Sequence, residues 1–194
     1  RFLADYGNDG RGVVQQKLNL SRQEKLDIAK AIQDNYDPAV RTYRYNYFYD
    51  NCTTRARDII ARHLSGKVKY KIDPSVESSY REMIHQWNHE HRWMAFGCDL
   101  LLGVGADRKT TFAQQQFIPN TLRKDFDRAI VVEPSGRSHR LVAQTEQTLK
   151  PSPEPDDNGF WTAVSPTVLF TLLFALTLCL SVLEYRRKKT LWAY

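Results

Sequence analysis

Histidine is absent from residues 1–51, and cysteine occurs only three times in 194 residues, so a dense disulfide framework is excluded. Cys179 falls inside a long apolar run, which leaves Cys52 and Cys98, and a bond between those two would abolish a nucleophile at either. No internal repeat is present, which excludes a solenoid. The segment Gly103-Val104-Gly105-Ala106-Asp107 follows no convincing strand and lacks a further glycine, so it is read as a loop and not as a nucleotide-binding turn. The excess of one charge sign is small as well. The net charge is +6, and half of it comes from Arg186, Arg187, Lys188 and Lys189 less Glu184. The remainder is too small to indicate nucleic acid as a partner.

Hydrophobic residues make up 42% of the chain and charged residues 26%, which excludes both wholesale disorder and a wholly membrane-embedded chain. A domain of about 150 residues is long enough to bury a real core. From Val164 to Leu183 there are twenty residues without a charge, the length that crosses a bilayer. The Pro- and acid-containing linker Lys150 to Gly159 precedes this run, and the four cations follow it. The positive-inside rule then places the C-terminal end in the cytoplasm and the preceding domain outside it. The expected organisation is an extracytoplasmic domain over 1–149, a linker over 150–159, a transmembrane helix over 160–185 with Phe160 and Trp161 at the outer interface, and a basic end over 186–194.

One of the cysteines stands where an aromatic run meets a helix. Thr42 to Tyr49 alternates, with Tyr43, Tyr45, Tyr47 and Tyr49 on one side and Thr42, Arg44, Asn46 and Phe48 on the other, the period of a half-buried strand. Asp50 and Asn51 offer N-cap chemistry for a helix from Thr53 to about Leu64, ended by Gly66. Cys52 then lies in the first turn, where free amide N–H groups, the helix dipole, Arg55 and Arg57 favour a thiolate. The amides near Cys52 and Thr53 would also hold an oxyanion. The plainer alternative is a small buried thiol packed at a strand-helix corner.

The run Tyr45-Asn46-Tyr47-Phe48-Tyr49-Asp50-Asn51-Cys52-Thr53-Thr54-Arg55-Ala56-Arg57-Asp58 resembles the signature of the periplasmic domain of the bacteroidete-type apolipoprotein N-acyltransferases. Leu18-Asn19-Leu20-Ser21, the segment Trp93 to Gly103, and Phe117-Ile118-Pro119-Asn120-Thr121-Leu122 are similar to further parts of that family, so the resemblance covers roughly residues 1 to 132. It implies a papain-like α+β domain in which Cys52 accepts an acyl group as a thioester and passes it to an amine. It also implies a histidine base ahead of the cysteine. None exists in residues 1–51, and the chain opens at Arg1, so the expectation is a base outside this chain.

The remaining segments read mostly as helix. Ser21-Arg22-Gln23-Glu24 is a capping box opening a helix to about Asn35, with Leu26, Ile28, Ala29 and Ile32 as its buried stripe. Ser79 to Asn88 is a second helix with Tyr80, Met83, Ile84 and Trp87 at core spacing. Leu122 to Arg128 is a third, followed by a strand from Ala129 to Glu133. Cys98, in the apolar stretch Met94 to Leu102, is expected to be a core thiol. His85, His89, His91 and Glu90 cluster in sequence but lack the glutamate placement of a zinc-protease helix, and they are read as a polar helix end. His63 lies about three turns beyond Cys52 and cannot reach it. His139 sits in a polar segment with little to position it.

These readings converge on a membrane-anchored cysteine acyltransferase. Cys52 is its nucleophile, Asn51, Thr53 and Arg55 orient the site or serve the oxyanion, a phospholipid or other acyl lipid is the donor, and a lipoprotein amine is the acceptor. Arg55 would alternatively bind a lipid phosphate or pair with Asp58. No cofactor or metal is called for. The same thiol would serve a cysteine peptidase or amidase acting on envelope peptides, and a single-pass scaffold with a structural cysteine is the non-catalytic alternative.

Overall fold

The computed structural model describes residues 2–72, 77–88, 90–153 and 164–187. The chain divides into two compact units, one built from residues 1–80 and 109–154, the other from 81–108 and 155–194. In the first unit, helix α1 (Phe2–Asn8) leads into strand β1 (Val13–Leu18), helices α2 (Arg22–Asn35) and α3 (Cys52–Arg62), and strand β2 (Lys67–Lys69). Helix α4 (Tyr80–Asn88) begins at the boundary, and α5 (Arg92–Leu102) lies in the second unit. The chain then returns to the first unit with the short helix α6 (Phe112–Gln115), α7 (Pro119–Arg128) and strands β3 (Ile130–Val132), β4 (Ser138–Arg140) and β5 (Val142–Leu149). Helix α8 (Pro166–Arg187) belongs to the second unit.

Two small antiparallel sheets hold the first unit. β1 pairs with β5, Gln15 facing Glu146, and β2, β3 and β4 form a three-stranded ladder. Leu122 and Phe126 of α7 pack with Ala129, Val131, Leu141 and Val142, and this core extends to Leu18, Ile60, Leu64 and Val68. Pro119 occupies the first turn of α7, where its missing N–H costs nothing, so the helix starts three residues earlier than the apolar pattern from Leu122 predicts.

Helix α2 opens on the capping box read from Ser21 and Glu24, and it ends at Asn35 as expected. Its stripe does not behave as expected. Leu26 and Ile32 are more than half exposed, and the buried residue is Glu24, which also accepts hydrogen bonds from the Ser65 amide at 2.8 Å and the Ser65 hydroxyl at 2.7 Å. The helix is docked through a carboxylate at its N-terminus. Burial opposes the Glu24 charge, but the bonds from Ser65 and Ser21 outweigh it and bring the carboxyl down to about 2.

The strand expected over Thr42 to Tyr49 does not form. Asn46 Oδ1 accepts from the Phe48 and Tyr49 amides at 3.1 Å each, and the Asn46 and Asp50 backbones bond reciprocally at 3.0 Å, closing a tight turn. Phe48 turns inward against Tyr80 and Phe117, with centroids 4.3 and 5.6 Å away, while the alternating tyrosines stay exposed. Gly66 also acts differently from a helix terminator. α3 ends at Arg62, and a Cβ on Gly66 would stand 2.6 Å from the Val132 carbonyl oxygen, so the glycine admits β2 against β3.

In the second unit, Arg81 donates to Asp99 and Asp107 at 2.6 Å each, and His85 Nε2 lies 2.8 Å from Asp99. Cys98 is half-buried and accepts a 3.5 Å contact from Asn88, so it is not the core thiol expected. Met83 and Ile84 are buried, whereas Trp87 is exposed. Trp93 Nε1 donates to the Val164 carbonyl at 2.8 Å. Helix α8 has mean hydropathy 2.2 and is, among the described residues, the one helix long and apolar enough to cross a membrane. Most of the expected linker, Phe160 and Trp161, His89 and the basic end beyond Arg187 lie outside the described residues.

Candidate active site: an exposed thiol beside an apolar groove

Cys52 is the first residue of α3, and its side chain is exposed and free of any disulfide. Asn51 fixes that position. Its Oδ1 accepts from the Thr54 amide at 2.9 Å, while its Nδ2 donates to the carbonyl oxygens of Tyr47 at 3.0 Å and Phe117 at 2.9 Å. The Thr54 hydroxyl accepts from the Asn51 amide at 3.0 Å and completes the capping box. Asn51 and Thr53 are both buried. Both Asn51 amide protons are consumed, so among the described residues Asn51 is a bracket tying the aromatic turn, helix α3 and Phe117 together. The Cys52 and Thr53 amides belong to the helix's open N-terminal turn, and no described acceptor is bonded to them.

Arg55 forms a bidentate pair with Asp50 at 2.7 and 2.8 Å, and it stacks over Tyr43 with its guanidinium carbon 3.4 Å from the ring centroid. The alternative pairing of Arg55 with Asp58 does not occur, because Asp58 is held by Arg57 at 2.7 Å. Asp50 therefore serves Arg55 and leaves the cap to Asn51. The hydrogen bonds that Arg55 donates hold Asp50 below the ordinary carboxylate range, and their acceptance by the Asp50 carboxylate raises Arg55. Tyr45 stays exposed, and partial desolvation, followed by the charges of Cys52 and Tyr43, pushes its phenol up.

Cys52, Thr53, Ala56 and Ile60 share one flank of α3 and line an open groove of about 380 Å³. That volume lies in the range of small-molecule sites. Leu18, Pro119, Leu122 and Phe126 supply an apolar floor that is continuous with the core, and Gln16 and Arg123 form its polar edge. Sequence reasoning found Cys52 and the Phe117 to Leu122 segment but missed Gln16 and Arg123. Those two lie on β1 and α7, more than a hundred residues apart, and no local pattern links them. Among the described residues, no histidine lines the groove. His63 caps the far end of α3 against the Ile59 carbonyl at 2.8 Å, and His139 lies 3.6 Å from Glu133 on β4.

The family model described as the Lnb N-terminal periplasmic domain matches residues 1–86, a span that includes Asn51, Cys52 and all of α3. The match is consistent with the Lnb-type family. A search of curated proteins and one of solved structures each found no match. Together with α8, the matched domain supports a periplasmic, membrane-anchored protein.

Proposed function

We propose that the protein is a thiol-dependent acyltransferase of the periplasmic membrane surface, with Cys52 as its nucleophile. The observation that carries this reading is the placement of an exposed thiol on the first turn of α3 at the wall of an apolar groove. An acyl chain fits an apolar floor, and its ester carbonyl then lies at the thiol. Cys52 Sγ attacks that carbonyl, the free N–H groups of the Cys52 and Thr53 amides receive the oxyanion, and the C–O bond breaks. The alcohol of the donor leaves with a proton and a thioester remains. An amine, taken to be the N-terminus of a lipoprotein, attacks the thioester carbonyl, so that an amide forms and the thiol is restored. Asn51 and Thr53 hold the turn, and Arg55 with Asp50 braces it. A general base takes the thiol proton as Cys52 attacks. The acidic or apolar character of the acceptor is not needed for the chemistry.

The test expresses the protein as the cell makes it in a host without its own lipoprotein N-acyltransferase and reads lipoprotein N-terminal peptides by mass spectrometry. The wild type is expected to add one amide-linked acyl chain, and Cys52→Ala to reduce that signal at least about a hundredfold, as for loss of a covalent nucleophile. Acylation by both proteins would make Cys52 structural. Cleaved envelope peptides in place of acylated amines would move the thiol to hydrolysis.

A further inference from the structure

The apolar stretch from Met94 to Leu102 turns outward instead of forming core. Asp99 is the only charged residue between Arg92 and Asp107, and it faces α4, where Arg81 donates to it at 2.6 Å and His85 Nε2 lies 2.8 Å away. The opposite flank of α5 carries Met94, Gly97 and Leu101, and Leu100 and Val104 extend it. Leu100, Leu101 and Val104 are 74%, 88% and 88% exposed, and a Cβ added at Gly97 would meet no described atom within 4 Å. A helix made for water places its charge outward and its leucines inward. Contiguous apolar exposure of this kind marks a surface that meets a membrane or another protein.

What lies beside this face decides between the two. Helices α5 and α8 belong to the same compact unit. Trp93 Nε1 donates at 2.8 Å to the carbonyl of Val164, just before α8 begins, and the Phe96 and Phe170 rings stand 5.3 Å apart. Phe170 lies one turn past the start of α8, about 6 Å along its axis. The exposed face of α5 is thus tied to the N-terminal end of the helix that is long and apolar enough to cross a membrane. We propose that α5 is a second membrane-contacting element, which lies in the bilayer interface beside that end of α8 and buries Met94, Leu100, Leu101 and Val104 among phospholipid acyl chains. The depth of such a helix is about 5–10 Å below the headgroup boundary, which matches the level of Phe170. Trp93 suits that boundary, because its ring is apolar and its N–H is already satisfied by Val164. Two contacts with the bilayer, one spanning and one lying flat, hold this unit at a fixed depth and orientation, which a single span cannot do. The inference rests on α8 as a span and is independent of the acyl-transfer reading.

The experiment uses the full chain with each native cysteine replaced by alanine, reconstituted into vesicles of phosphatidylethanolamine and phosphatidylglycerol. A bimane fluorophore is attached to a single cysteine introduced by Leu101→Cys, Arg92→Cys or Leu176→Cys. Its quenching is read with iodide on both sides of the membrane, and with nitroxide lipids labelled near the top or at the end of the acyl chain. Arg92 precedes Leu101 by two and a half helical turns and so faces the opposite way, while Leu176 reports the middle of α8. The shallow nitroxide is expected to quench the Leu101 probe severalfold more than the Arg92 probe, and iodide to give the reverse order. The deep nitroxide is expected to act most strongly on the Leu176 probe. Val104→Cys repeats the measurement at a second exposed site should Leu101→Cys fail to insert. A Leu101 probe as open to iodide as the Arg92 probe, with Leu176 in lipid, would overturn the proposal and leave the anchor standing. Shielding of Leu101 from iodide and from both nitroxides would put protein over the face, a second copy or another helix, and would overturn it as well. A Leu176 probe in water would remove the span and this inference with it, leaving the chemistry of Cys52 untouched.

Discussion

Asn51 carries three bonds with a single amide side chain, and this explains why Cys52 can be both exposed and fixed. Replacing it with alanine removes the cap of α3 and strands the buried Phe117 carbonyl. The expected cost is about 2–3 kcal/mol, the sum of a lost N-cap and an unsatisfied buried acceptor. Denaturant titration of Asn51→Ala checks it, and a loss under about 0.5 kcal/mol would show that the bracket is dispensable. Arg55 illustrates how neighbouring charges compete. From sequence, Asp58 three residues on is a reasonable partner for it on a helix. The tight turn at Asn46 delivers Asp50 instead, and Arg57 takes Asp58.

At the scale of elements, the Glu24 carboxylate joins the start of α2 to Ser65, three residues past α3, and this gives the fold a defined acid sensitivity. Its folded value of about 2 lies below the ordinary 4.5, so the stability it confers is fully present above about pH 4.5 and is lost as pH falls from there toward 2. The shift corresponds to at most about 3 kcal/mol. Glu24→Gln is expected to remove that component at neutral pH and to flatten the dependence between about pH 4.5 and 2. Thermal unfolding of the two proteins across that window decides it, since parallel curves would put the acid sensitivity in other groups. The β2 and β3 pairing has its own narrow tolerance. Gly66→Ala brings a methyl group to 2.6 Å from the Val132 carbonyl oxygen and 2.7 Å from the Val131 side chain. A destabilisation of about 1–3 kcal/mol is expected, typical of overpacking, and an unchanged denaturation midpoint would show that the strand moves aside freely.

For the molecule as a whole, α8 joins a periplasmic type of domain to a bilayer-spanning length of apolar helix. Leu176 lies near its middle and is exposed. An arginine there costs about 3 kcal/mol of insertion at the helix centre, whereas phenylalanine costs nothing comparable. Alkaline extraction of membranes is expected to release a substantial share of Leu176→Arg and to leave the wild type and Leu176→Phe in the pellet. Equal retention of all three would remove the basis for a spanning anchor.

The features determined by sequence alone are those governed by neighbours within one helical turn. The Ser21 and Glu24 box, the N-cap at Asn51, the first-turn position of Cys52 and the apolar run of α8 were legible because each depends on residues three or four apart, or on an unbroken composition. Tertiary structure alone decided the rest. The pairing of β1 with β5 joins residues about 130 positions apart, and neither strand shows a pattern that names its partner. The tyrosine alternation read as a strand, but without a partner strand the Asn46 side chain supplied the backbone with closer acceptors. The Cys52 groove belongs to this second class, because Leu18, Pro119 and Arg123 reach the thiol only after β1 and α7 have packed against α3. A nucleophile's position can be set by the first turn of a helix, whereas the surface that receives its substrate is made by elements distant in sequence.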